Sequence, residues 1–171
     1  MSVPTKNVMA ASCACGSVEL EAIGAHITSV VCYCDDCQEG SRQIEALPNA
    51  RPVRDYDGGT AYIVYRKDRV KCSKGAPLLK SHKIREKSAT NRVIATCCNS
   101  AMFLNFDDAK HWVDVYSSRI KGDIPPLQMR ICTKFKPKIC HVPSDVPLYS
   151  SYPLKFLAKL VAAKIAMLLH R

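Results

Sequence analysis

No uncharged apolar run in this sequence reaches the roughly 18 to 20 residues that a bilayer-spanning helix requires. Met1 to Ser12 also lacks the cationic start and apolar core of an export signal. Neither a transmembrane nor a secreted protein is expected, and a reducing, cytoplasmic location is. Aromatic residues are scarce at 7%, and they form no ladder interleaved with basic residues such as stacks single-stranded nucleic acid. The strand-helix-strand alternation of a parallel, nucleotide-binding sheet is missing too. What remains is globular: 47% hydrophobic and 23% charged residues exclude a disordered chain, and 171 residues suit a single core.

Cysteine, by contrast, is abundant, with ten residues. Disulfides or metal must account for most of them. The spacing favours metal. Cys13 and Cys15, then Cys32, Cys34 and Cys37, then Cys97 and Cys98 are short-range clusters, whereas disulfides usually staple distant loops. In a reducing compartment soft thiolates bind zinc. Cys13 and Cys15 with Cys97 and Cys98 offer four thiols from two knuckles, a structural zinc site. Adjacent cysteines on a strand point to opposite faces, so either one of Cys97 and Cys98 does something else or a local turn brings both inward. Cys32, Cys34 and Cys37 supply three ligands and leave a fourth position open, the arrangement of a catalytic zinc. A knuckle completed by a remote ligand and a set of unmetallated thiols are the alternatives. Cys37 falls in a first helical turn, where the helix dipole favours thiolate.

The net charge of +10 is unevenly spread, since residues 1–60 carry four Lys and Arg against eight Asp and Glu. The basic remainder is either a solvated face or a surface for nucleic acid, anionic lipid or an acidic small molecule. Period-two alternation and β-branched or aromatic runs predict strands at 17–22, 27–31, 60–65, 70–72, 79–84, 92–96, 102–106 and 112–116. Asp35 to Leu47 reads as a short helix. The fold class is therefore mainly β, antiparallel, with a short helix and a C-terminal helix. Residues 1–121 form the zinc-binding β domain, whose first strand follows a short N-terminal arm, and 122–153 are a proline-rich wrapping segment. Residues 154–171 are a helix whose lysines segregate imperfectly, because Lys164 falls opposite Lys155. That helix suits packing or a homodimer contact, with a membrane-surface helix as the alternative.

The order Cys13-x-Cys15-Gly16-x-Val18, Cys32-x-Cys34-x-x-Cys37, and a cysteine knuckle after an arginine-led strand resembles the glutathione-dependent formaldehyde-activating enzyme and centromere protein V family. The resemblance covers roughly residues 13–116. It implies a β-tent fold with two zinc sites, one structural and one catalytic. The implied activity is a carbon-sulfur lyase reaction joining glutathione to formaldehyde to give S-(hydroxymethyl)glutathione. Cys13, Cys15 and Cys97 match the structural site, but Ser100 stands where its last cysteine belongs. Cys98 is the substitute at hand. Cys32, Cys34 and Cys37 match the catalytic trio intact. The centromere branch supplies the other reading, a non-enzymatic zinc module whose basic half binds nucleic acid or an acidic partner.

Weaker candidates complete the reading. Asp35 and Asp36 are near enough in sequence to act as a base through water. Arg85, Lys87 and Arg92 are either carboxylate-neutralising groups or solvated strand-edge charges. His111 reads as a surface histidine beside a core Trp112, and Cys72 and Cys132 as small core residues. Cys140 and His141 lack a second pair of ligands nearby.

Overall fold

The computed structural model describes residues 7–169. The expected N-terminal arm is in fact a strand, Val8–Ser12 (β1). It pairs antiparallel with Glu19–Ile23 (β2), with Ala11 opposite Leu20. Val70–Lys74 (β5) and the two-residue Ile120–Lys121 (β10) flank this pair, giving a four-stranded sheet in the order β10-β1-β2-β5. Single-sided burial explains the pattern of β2: Leu20 and Ala22 are buried, while Glu19 and Glu21 face out toward Lys74 and Lys71.

The larger sheet has seven strands. Thr28–Cys32 (β3), Thr60–Arg66 (β4), Leu79–His82 (β6), Thr90–Ala95 (β7), Ser100–Phe106 (β8), Trp112–Tyr116 (β9) and Met129–Ile131 (β11) run in the order β11-β3-β4-β9-β8-β7-β6. β3 is buried along its whole length, its polar Thr28 and Ser29 included, because strands flank it and both its faces are covered. β11 lies inside the proline-rich segment, where a wrapping strap without regular elements was expected. It pairs parallel with β3, Ile131 against Cys32, so the sheet is mixed. Three residues free of proline are enough for this edge strand.

Side-chain alternation divides the core. Ile63, Tyr65, Val113 and Val115 point toward the small sheet and pack on Ala11, Val18 and Leu20. Val30, Cys32, Tyr62, Val64, Leu104 and Tyr116 point the other way, where Asp35–Glu45 (α1) and Leu154–Leu169 (α2) cover them. α1 buries Cys37 and Ile44, and α2 buries Phe156 and Leu160. The outer face of α2 leaves Val161, Ile165 and Leu168 more than half exposed. His111 is buried, not a surface residue. Its Nε2 lies 2.7 Å from the Leu160 carbonyl oxygen and fastens the middle of α2 to the sheet.

A buried polar knot ties the late segment down. Arg130 of β11 donates to Asp57 Oδ2 at 2.9 Å and to the Tyr33 hydroxyl at 2.7 Å, and reaches Asp145 at 2.9 Å. Tyr33 donates to the same Asp57 oxygen, so the buried carboxylate is fully engaged.

Candidate metal centre and thiol pocket

The first thiol cluster is assembled by two turns. After β1, Gly16 adopts φ +75°, a left-handed conformation that lets the chain reverse between Cys13 and Val18. The Val18 amide donates to Cys13 Sγ at 3.3 Å. Between β7 and β8 the chain turns through residues 96–99, with Asn99 at φ 51°. That turn breaks the strand alternation, so Cys97 and Cys98 both face the N-terminal knuckle. All four sulfurs lie within 4.8 Å of one another. Cys98 thus occupies the cluster, while Ser100 supports it: its hydroxyl accepts from the Ala14 amide at 3.0 Å and lies 3.1 Å from Cys98 Sγ.

The separations test the fit. A tetrahedral thiolate site with metal–sulfur bonds of about 2.3 Å has sulfur–sulfur edges of about 3.8 Å. Cys13 to Cys15, Cys13 to Cys97 and Cys15 to Cys97 measure 3.5, 3.8 and 3.4 Å. The cluster can therefore hold a metal ion. Hydrogen bonding with Ser17, then with Cys97 and Cys13, brings the Cys15 thiol down to about 6, which favours the ligating thiolate.

The second cluster follows from local geometry. Cys32 ends β3 and Cys34 lies two residues on, the same side by strand periodicity, while Tyr33 points away to Asp57. Cys34 is the N-cap of α1 and Cys37 sits in its first turn, so the helix returns a third sulfur to the same place. The three sulfurs lie within 4.8 Å of one another. Hydrogen bonds from Cys32 and Cys37 hold the Cys34 thiol far below its ordinary value, and the positive charge of Arg92 adds to this. A hydrogen bond with Cys32 lowers Cys37, but Cys34 and burial outweigh it and push that thiol up. The Tyr62 hydroxyl donates to Cys37 Sγ at 3.6 Å.

The trio opens on a cavity of about 350 Å³. Several of its lining residues escaped the sequence reading. Asp114 reaches it from β9, and burial, then the charge of Cys34, raises its carboxyl to about 7. Arg92 belongs to an internal strand, not an edge, and is 1% exposed. It donates to the Asp36 carbonyl oxygen, and its Nε and one terminal nitrogen have no partner among the described residues. Gly40 makes room for it, since a Cβ there would lie 1.9 Å from Arg92 Nε. Alternation could have flagged Asp114, a lone carboxylate between Val113 and Val115 on a core strand. Cys132 is buried as expected, yet against Cys32, to which its thiol hydrogen-bonds.

The other expected groups fall elsewhere. Asp36 lines the cavity and pairs with Arg85 at 3.0 Å, whereas Asp35 is exposed and outside it. Lys87 is exposed. The Cys72 thiol donates to the Lys74 carbonyl, and Cys140 and His141 join no group of three potential ligands among the described residues.

The family model of the glutathione-dependent formaldehyde-activating enzyme matches residues 8–133. The chain belongs to this family. The match reaches past the strand Trp112–Tyr116 to include β11 and Cys132, beyond what the cysteine motifs alone cover. Among the described residues, eleven strands in two sheets with a C-terminal helix make up the mainly β architecture that the sequence predicts. A crystal structure of a Rhodobacter sphaeroides protein, a structural-genomics target, is similar over 68% of this chain and 92% of its own, with 16% identity and a TM-score of 0.48. Comparison with curated proteins found no match. Among the described residues no helix is long and apolar enough to cross a membrane.

Proposed function

We propose that this protein is a zinc-dependent carbon-sulfur lyase that joins a small, glutathione-like thiol to an aldehyde, and reverses that reaction. The observation that carries the reading is the opening of the Cys32, Cys34 and Cys37 trio onto a cavity that also presents a near-neutral carboxyl, Asp114. Cys13, Cys15, Cys97 and Cys98 would hold a structural zinc, and Cys32, Cys34 and Cys37 a second one. When bound there, zinc supplies an open position at which a substrate sulfur is held as thiolate.

The chain's own residues do the rest. Asp114, protonated below about 7, hands a proton to the carbonyl oxygen as sulfur attacks the carbonyl carbon. The carbon-sulfur bond forms, the carbonyl double bond becomes a single bond to a hydroxyl, and the proton lost by the thiol returns to Asp114. No redox partner is needed. Arg92 offsets the negative charge gathered on the trio, and the Tyr62 hydroxyl steadies Cys37. Exchange NMR with ¹³C-formaldehyde and glutathione tests the reading. Accelerated exchange between free and thiol-bound carbon, abolished by Cys34→Ser, is the expected result, and an exchange rate unchanged by the protein overturns it.

A further inference from the structure

The cavity beside the trio is built for something larger and greasier than formaldehyde. Its walls include Val30, Val64, Leu104, Ile131, Phe156 and Leu160. At about 30 Å³ per water-sized group, 350 Å³ accommodates about a dozen such groups. Formaldehyde has two heavy atoms. Arg92 and Asp114 lie toward the sulfurs and Lys110 stands over the Phe106 ring at the other end, with apolar space between them along the sheet. Tyr62 and Tyr116 lie opposite each other, as do Arg66 and Trp112 four residues along β4, about 13 Å further. There Trp112 and Phe106 close the far wall, their rings 5.6 Å apart. α2 roofs the space, held by His111, with Leu157 half-exposed at the rim.

We infer that the aldehyde taken at this site is a medium-chain aliphatic one, its carbonyl carbon toward the trio and Asp114 and its alkyl chain running under α2 toward Trp112. The inference rests on the thiol and aldehyde reading above. The alkyl tail contributes binding through the apolar area it removes from water.

Trp112 is the chain's one tryptophan, so its fluorescence reports on the cavity directly. The test titrates the protein with straight-chain primary alcohols from ethanol to decanol, which cannot form the adduct. The expected result is a saturable change in Trp112 emission, with affinity rising about two- to fourfold per methylene until the cavity is full. Leu157→Glu, a rim substitution on a half-exposed position, should flatten that dependence. Affinity independent of chain length, no saturable change, or an unaltered series in Leu157→Glu overturns the inference. A companion adduct assay with formaldehyde, butanal and octanal separates the two readings. Turnover rising with chain length supports the inference, and turnover that falls from formaldehyde onward overturns it while keeping the catalytic reading. No adduct from any aldehyde, with the alcohol series intact, overturns the catalytic reading alone.

Discussion

Arg92 and Asp114 face one cavity from strands two apart, with Leu104 in register with both of them, and form no ion pair with each other. A buried cation and a carboxyl that share a cavity without pairing are each left for other work. The positive charge of Arg92 adds to the hydrogen bonds that hold the Cys34 thiol low. The carboxyl keeps its proton to about pH 7.

Asp114→Asn should therefore lower kcat/KM for adduct formation by about 10²- to 10⁴-fold and remove the limb of its pH profile near 7. The stability signature has a definite sign. A carboxyl raised on folding binds more protons in the native than the unfolded state, so stability is greatest below the ordinary aspartate range and falls as pH rises toward 7. Urea denaturation between pH 4 and 8 should show that fall in the parent and a shallower one in Asp114→Asn.

Gly40→Ala should act through Arg92. The added methyl occupies the space of the guanidinium stem, so overpacking should cost about 1 to 3 kcal/mol in chemical denaturation. Trp112 fluorescence, which shares the cavity, should shift with it.

Metal content should divide by cluster. Native mass spectrometry of protein purified under reducing conditions is expected to show two zinc ions per chain. Cys34→Ala and Cys98→Ala should each lose one, and Cys132→Ala should keep both, because Cys132 touches Cys32 without joining the close trio.

The knot around Asp57 should be structural only. Asp57→Ala leaves the Arg130 guanidinium buried without its inner partner and should cost about 3 to 5 kcal/mol in thermal or chemical unfolding. Its metal content should match the parent's.

Much of this was legible in the chain. The cysteine spacings give the second cluster, since strand and helix periodicity place Cys32, Cys34 and Cys37 together without help from distant residues, whereas Cys13 and Cys15 meet Cys97 and Cys98 only across the fold. β2 and β9 show the alternation of half-buried strands, and α2 starts after Pro153 as expected. Long-range geometry was not legible. β1 has a weak pattern, Val-Met-Ala-Ala-Ser, and becomes a strand because β2 and β10 pair with it. β11 hides among prolines, and its parallel partner is nearly a hundred residues away. Nothing local in the sequence shows that Cys132 reaches Cys32 or that His111 reaches a carbonyl of α2. Arg92 was weighed as an edge charge because strand order is not written in the sequence.

The central claim is that the Cys32, Cys34 and Cys37 trio holds a metal with a vacant position for a thiol. Cobalt substitution tests it most directly. Titrating the cobalt-loaded protein with glutathione should strengthen the sulfur-to-cobalt charge-transfer absorption saturably, and Cys34→Ala should abolish the change while leaving the Cys13 cluster loaded. A cobalt spectrum indifferent to thiol, in protein carrying both ions, would contradict the account.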